Sequence, residues 1–259
     1  MRKDVLRQWI NVLAVIGTIV VNGLANALPL NGQTTGSISD RFRVYFVPAG
    51  YVFAIWGVIY LGLIAFAVYQ ALPSQRGNPR LHRIGYLLAL SCVANSVWLF
   101  LWHYNVFTWT LVAMFSLLAL LIVIYLSLGI GRARYHGTER WCLALPFSIY
   151  LGWITVATIA NVTSVLDFVR WTGWGISPVT WTVIMLAGGV LIAALMSLTR
   201  GDIAYSFVII WGFIGIAIKH AGTPTVATSA WIATVLVAVM LAVGLLARGR
   251  APRSRGTAA

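Results

Sequence analysis

Eight long apolar stretches, separated by short polar segments, run through this chain. They cover residues 9–30, 48–72, 84–104, 108–130, 142–163, 178–199, 203–220 and 228–247. Each is roughly 17–25 residues long, the length that an α-helix needs to cross a hydrocarbon core of about 30 Å. Because a membrane core offers no water to the backbone, a spanning segment must satisfy its own N–H and C=O groups as a helix. The pattern therefore predicts an all-α integral membrane bundle of about eight transmembrane helices.

Composition supports a membrane protein and argues against a soluble domain and against a nucleic-acid-binding protein. The chain has 259 residues, of which 60% are hydrophobic and 9% are charged, whereas soluble domains carry about 25% charged residues. The formal charge of +13 sits in short loops and in the tail, which is typical of membrane orientation rather than of a nucleic-acid surface. Cys92 and Cys142 both fall within apolar stretches, so no disulfide framework or metal site is predicted.

The positions of Lys and Arg predict the orientation of the bundle. With eight spans and both termini inside, the inside segments carry Arg2, Lys3, Arg7, Arg76, Arg80, Arg83, Arg132, Arg134, Arg140, Arg200, Arg248, Arg250, Arg253 and Arg255. The outside segments carry Arg41, Arg43, Arg170 and Lys219. Because basic loops stay on the cytoplasmic side, we predict an inner-membrane protein with cytoplasmic termini and a basic tail at residues 248–259. The first stretch is too long for a typical signal peptide, so it is predicted to be a retained helix.

The apolar stretches contain aromatic and amide side chains where an ion pump would carry charges. They include no Asp, Glu or Arg, and Lys219 stands at the end of the seventh. A transported ion or proton needs a charged partner in the low-dielectric core, so this pattern favours a flat, largely apolar ligand. Lys219 lies too near a span end, with no acidic residue in any span, to be the Schiff-base lysine of a retinal protein.

Three of the stretches carry aromatic residues at helical spacing. The motifs are Pro48 followed by Phe53, Trp56 and Tyr60; Asn95 followed by Trp98 and Trp102; and Tyr150 followed by Trp153, Ala157 and Asn161. Residues three or four positions apart share one face of a helix, so each motif predicts a stripe. For any single one of these residues, packing is the simpler explanation. An asparagine within a span is most often a hydrogen-bonding group between helices.

Taken together, the three motifs resemble the TspO/MBR family, the tryptophan-rich sensory proteins that include the mitochondrial translocator protein. In that family a proline-led Phe-x-x-Trp-x-x-x-Tyr segment opens the second helix. Asn-x-x-Trp marks the third helix, and Tyr-Leu-x-Trp followed by Asn marks the fifth. The resemblance covers about residues 9–163 and implies a TspO-like five-helix module over residues 1–163. Residues 164–247 then form three additional transmembrane helices. The loop at residues 31–47 lacks the Trp-rich stretch that often covers the family's pocket.

The resemblance also implies a function. The family binds porphyrins, cholesterol-like or other flat apolar ligands between its helices, and some members promote light-dependent porphyrin breakdown. Carried over residue by residue, the ligand-binding residues are Phe53, Trp56, Asn95, Trp98, Tyr150, Trp153 and Ala157. Indole faces stack on a flat ring without needing charge. We therefore expect a protein that binds, senses or moves a porphyrin-like or sterol-like molecule, with Trp56 and Trp153 carrying any photochemistry. No cofactor is required, and a porphyrin or heme is expected only as a ligand.

Two other functional classes stay open. One is a small-solute transporter in which helices six to eight complete the path, although the matching broken helices of an inverted repeat are not visible. The other is an accessory subunit whose extra helices dock a partner. The sequence shows no catalytic constellation, and the lone His103 near a span end is more typical of packing than of heme ligation. The expected partners are the lipid membrane, the apolar ligand and a second copy packed through Gly188 and Gly189, but no nucleic acid.

Overall fold

The computed structural model describes residues 2–28 and 30–250, with side chains through residue 248. Its regular secondary structure is helical throughout that range, which confirms the predicted all-α class. The long helices are α1 (Arg2–Ala27), α2 (Ile55–Ala71), α3 (Leu87–His103), α4 (Phe107–Leu128), α5 (Leu145–Phe168), α6 (Pro178–Arg200), α7 (Ile203–Lys219) and α8 (Pro224–Arg250). Residues 251–259 of the predicted basic tail lie outside the described residues.

Each predicted span corresponds to one of these helices. Six helical segments of the described chain are long and apolar enough to cross a membrane. The other two, α3 and α7, have 17 residues each, or about 25 Å at the helical rise. Both still join the two ends of the bundle, as the contacts between loops show.

Polar contacts group the loops into two ends. At one end, here called the basic end, Arg7 donates to the Arg76 carbonyl, Arg80 pairs with Glu139, Arg200 donates to the Ile130 carbonyl, and Arg248 donates to the Gly131 carbonyl. At the opposite end, Arg41 donates to Asn105, the Arg43 N–H donates to Asp167, and Lys219 pairs with Asp40. Successive connections thus alternate between the ends, as eight crossings require.

Capping residues fix several helix ends. Pro178 occupies the first turn of α6, where its missing N–H costs nothing, and the Ser177 hydroxyl accepts from the Thr180 N–H at 3.1 Å. Gly201 ends α6 in a left-handed conformation, with φ of 59°, which glycine adopts without strain. The next residue, Asp202, caps α7 by accepting from the Tyr205 N–H at 3.1 Å.

Several predicted boundaries differ from the structure. The second span was predicted to begin at residue 48, but α2 begins at Ile55 after a short 3-10 turn at Gly50–Ala54. The fifth span was predicted to end at residue 163, but α5 continues to Phe168.

The helix α1 begins at Arg2 instead of residue 9, because its first two turns pack on the segment after α2. There the Gln8 side chain donates to the Leu72 carbonyl at 3.1 Å, and it also donates to the Gln70 carbonyl in the last turn of α2 at 2.6 Å. The third span was predicted from residue 84, but a short helix at Pro79–Ile84 and the left-handed Gly85 precede α3. Hydropathy identifies the apolar part of a helix. It shows neither the polar first turns of α1 nor the break in the helix at Gly85.

The first five long helices form a closed ring. The helix α1 contacts α2 and α3, α3 contacts α4, α4 contacts α5, and α5 returns to α2. Aromatic pairs fill the ring towards the basic end, where the Phe66 and Phe147 rings meet edge to face at 5.2 Å. This ring is the architecture that the family resemblance implies.

The last three helices pack against one side of the ring. The helix α7 lies on α5, and α6 and α8 contact each other and α7. Gly152 of α5 allows the close approach, since a Cβ there would lie 3.0 Å from the Val208 Cβ. Gly189 faces the Phe213 ring within the chain, whereas an added Cβ at Gly188 would meet nothing within 4 Å. The homodimer stays a prediction, and Gly188 is the glycine of this pair on an open face.

Candidate ligand-binding site

A cavity lies inside the ring, towards the opposite end from the basic loops. Of the seven predicted ligand-binding residues, six line it: Phe53, Trp56, Asn95, Trp98, Trp153 and Ala157. The seventh, Tyr150, does not line the cavity but packs behind it, with its ring centroid 6.1 Å from that of Trp56. Residues from α2, α3 and α5 are therefore brought together, although they are far apart in sequence.

Aromatic contacts of α5 with α2 and with the short turn just before α2 form one wall. The Trp153 ring meets Phe53 edge to face at 5.7 Å and Trp56 at 6.2 Å. Trp56 in turn stacks on Tyr60 at 5.6 Å. Edge-to-face and offset pairs are the favourable aromatic geometries, so this wall holds its shape without a ligand.

A second wall comes from α3 and is fixed by hydrogen bonds. Trp98 stacks on Trp102 at 5.5 Å, and its indole N–H donates to the Asn161 carbonyl oxygen at 3.2 Å. The Asn161 amide then donates to the Thr110 hydroxyl at 2.9 Å. Asn161 thus joins α3, α4 and α5. Trp102 also lines the cavity. It was not among the predicted ligand-binding residues, although its spacing from Trp98 places both on one helix face.

Two buried hydrogen-bond donors at the cavity have no partner among the described residues. They are the Trp153 indole nitrogen and the Asn95 amide nitrogen. The Asn95 side chain is held by its other atom, which accepts from the Asn22 amide at 2.8 Å. Buried donors are normally paired, and an unpaired one costs about 1–3 kcal/mol. A ligand with an acceptor oxygen or nitrogen would pair with either of them.

The cavity is narrow, with a volume of about 50 Å³, whereas sites for drug-sized ligands measure about 300–1,000 Å³. The loop between α1 and α2 contributes to its closure through Thr35, Ser39 and Val47. This loop is tied down where the Trp102 indole donates to the Thr35 carbonyl at 3.3 Å. Binding of a porphyrin-sized molecule therefore requires the walls or the loop to move apart.

Helix α7 supports the segment that leads into α2. The Ala49 N–H donates to the Gly215 carbonyl at 3.1 Å, and the Trp211 indole donates to the Val52 carbonyl at 3.1 Å. Gly215 also contacts Pro48 so closely that an added Cβ would lie 2.9 Å from the proline Cβ. Pro48 lines the cavity. A helix outside the five-helix ring thus shapes the site, which the motifs did not predict.

A buried carboxylate links the ring to the last three helices. Asp202 is 7% exposed, and its Oδ2 accepts from the Tyr125 hydroxyl at 2.8 Å and the Ser148 hydroxyl at 2.7 Å. These donors come from α4 and α5. This contact was not predictable from the sequence, because Asp202 lies one residue before the seventh apolar stretch, where an acidic residue is expected to be exposed in a loop.

The histidines and Lys219 lie away from the cavity. His103 is fully buried, with its Nδ1 2.9 Å from the Leu99 carbonyl oxygen. Among the described residues, no group of three or more His, Cys, Asp or Glu side chains is arranged to hold a metal ion. His220, at the opposite end, packs against the Tyr45 ring at 5.3 Å, and burial lowers its pKa. Lys219 pairs with Asp40 at 2.7 Å.

A larger cavity, here called the outer cavity, lies between α5, α6 and the first loop. Its volume is about 340 Å³. Tyr45, Asp167, Trp171 and Trp181 are among its lining residues. Trp171 and Trp181 pack against each other at 5.2 Å. Because α6 forms part of the wall, the five-helix motifs carried no signal for this cavity.

The comparisons with known proteins agree with the fold. A family model of TSPO-like proteins matches residues 8–243, which includes α6, α7 and most of α8 as well as the ring. No curated protein and no solved structure matches the chain. The match confirms the resemblance that the three motifs carry, and this chain belongs to the TSPO-like family.

Proposed function

We propose that this protein binds a flat, largely apolar ligand of porphyrin or sterol type in the aromatic cavity of the ring, in order to sense or move it. The observation that carries the proposal is the convergence of Trp56, Trp98 and Trp153 from three helices on one cavity. The two unpaired donors, on Asn95 and Trp153, favour a ligand with at least one acceptor atom. Its acceptor atoms would form hydrogen bonds with these donors in place of the water that burial has removed.

The narrow cavity adds a condition to this proposal. A ligand of porphyrin size enters only if the cavity widens, and the loop between α1 and α2 is the segment that closes one side of it. Ligand binding is then coupled to the position of this loop. A coupling of that kind suits a sensor, since occupancy changes the surface at one end of the bundle.

Protoporphyrin IX titrated into detergent-purified protein tests the site. Saturable quenching of tryptophan fluorescence is expected at micromolar ligand, and Trp56→Phe and Trp153→Phe should each weaken it because they remove wall contacts. Trp231→Phe is the matched control, since Trp231 is 47% exposed on α8 and does not line the cavity. Quenching that does not saturate, or that is weakened equally by all three changes, contradicts the proposal.

We further propose that both termini face the cytoplasm, in the cell's inner membrane. The support is the basic end, where the N-terminal turn and the loop after α2 meet and most of the positive charge of the chain lies. A reporter that fluoresces only in the cytoplasm should be active when fused after residue 259. Alkaline phosphatase, active only outside the cytoplasm, should work when inserted at Gly222. The reverse pattern would contradict this orientation.

A further inference from the structure

A long groove runs along the outside of the ring between α1 and α2. Its volume is about 590 Å³. On α1 it is lined from Val5 to Ile19, and on the other side from Ile64 to Arg76. The stretch from Val5 to Ile19 is roughly 21 Å long at the helical rise, so the groove covers about the depth of one bilayer leaflet.

The walls of the groove are apolar over most of their length. They include Val12, Ile16 and Val68, and Val68 is 62% exposed in the isolated chain. Gln8 also lines the groove, but its amide already donates to the Gln70 and Leu72 carbonyls. A hydrocarbon chain would therefore meet matching surface along the groove without displacing a polar contact.

One end of the groove carries a positive charge, unlike its apolar walls. Arg76 is the charged residue among those that line it. Its Nε is buried without a hydrogen-bond partner, and its guanidinium forms no ion pair with any described residue. By contrast, the neighbouring Arg80 is paired with Glu139. A buried, unsatisfied guanidinium nitrogen is costly, and a phosphate is a group that guanidinium binds strongly.

From these two features we infer that the groove binds one anionic phospholipid, with an acyl chain between α1 and α2 and the phosphate at Arg76. Basic pockets between transmembrane helices are known to recognise anionic headgroups. The basic end adds positive potential from Arg2 and Lys3, which are exposed at the start of α1, so an anionic headgroup is favoured over a zwitterionic one. The groove lies outside the ring, so lipid binding is separate from the aromatic cavity.

Native mass spectrometry of protein released from nanodiscs tests this inference. The nanodiscs contain equal amounts of phosphatidylglycerol and phosphatidylcholine with identical acyl chains. The wild-type protein should retain mainly phosphatidylglycerol. Arg76→Gln should lower the retained ratio of phosphatidylglycerol to phosphatidylcholine about fivefold, which corresponds to about 1 kcal/mol for one basic residue near the membrane surface. Arg83→Gln is the matched control, because Arg83 is exposed at the same end but does not line the groove, and should leave the ratio unchanged.

A second variant separates the groove from simple charge attraction. Ala71→Trp fills the groove beside Leu72 without changing charge, and should reduce retention of both lipids. Equal retention of the two lipids by the wild type, or the same ratio in Arg76→Gln and Arg83→Gln, would overturn the inference. Full displacement of the lipid by millimolar glycerol phosphate would also overturn it, since that result describes a site for a free anion without an acyl chain.

Discussion

Asp202→Ala should lower the free energy of unfolding of this protein by about 3 kcal/mol. Losses of this size are typical when a buried charged side chain is removed and its hydrogen-bond partners stay buried. The reason is the number of groups that depend on one carboxylate. The hydroxyls of Tyr125 and Ser148 would lose their acceptor inside the protein, and α7 would lose its capping contact to the Tyr205 N–H. The last three helices would then dock less firmly on the ring.

The free energy of unfolding, measured by SDS titration in mixed micelles, gives the size of this effect. Asp40→Ala is the matched control, since Asp40 is 68% exposed and pairs with Lys219 at the surface, where such pairs contribute up to about 1 kcal/mol. Asp202→Asn keeps an acceptor oxygen and should fall between the two. Tyr125→Phe should cost less in the Asp202→Ala background than in the wild type, because its partner is already gone. If Asp202→Ala is as stable as Asp40→Ala, the carboxylate does not hold the two groups of helices together.

Gly215→Leu should weaken protoporphyrin IX binding about tenfold, within the 1–3 kcal/mol that overpacking a tight contact costs. The added side chain has no room on α7, because even a Cβ would overlap Val52 and crowd Pro48. The segment before α2 must shift, and with it Pro48 and Phe53 in the cavity wall. The change therefore acts on the site from a helix outside the five-helix ring.

The dissociation constant is best followed by the absorbance of the porphyrin, with the melting temperature as a check on folding. Gly188→Leu is the control, since its side chain would point into open space, and it should leave the dissociation constant unchanged. Gly215→Ala introduces the same clash with a smaller side chain and should give an intermediate value. A folded Gly215→Leu protein that binds as tightly as Gly188→Leu would show that α7 does not shape the site.

The eight spans were predictable because each apolar stretch is long enough to cross a membrane by itself. The face that each aromatic motif presents was predictable for a similar reason, since the spacing of Trp56 from Tyr60 and of Trp98 from Trp102 is local to one helix. The family resemblance then indicated which stripes would meet. These features depend on residues close together in sequence.

The contacts made by α7 could not be predicted in this way. Gly215 matters because Pro48 lies against it, and the two are far apart in sequence with no shared pattern. Asp202 is a similar case, because its burial depends on hydroxyls from α4 and α5. The width of the cavity depends on how the loop containing Thr35 folds over the ring, which hydropathy does not encode.

We expect the ligand to occupy the cavity of the ring rather than the outer cavity, which is larger. The most direct test compares the dissociation constant for protoporphyrin IX of Trp56→Phe/Trp153→Phe with that of Trp171→Phe/Trp181→Phe. Porphyrin absorbance is the readout, because it does not depend on the number of tryptophans left. The Trp56→Phe/Trp153→Phe protein should bind at least about tenfold more weakly than the wild type, given the roughly 1 kcal/mol expected where each larger indole face is replaced by a phenyl ring. The Trp171→Phe/Trp181→Phe protein should bind as the wild type does. Weakened binding in Trp171→Phe/Trp181→Phe alone would contradict binding inside the ring and assign the ligand to the outer cavity.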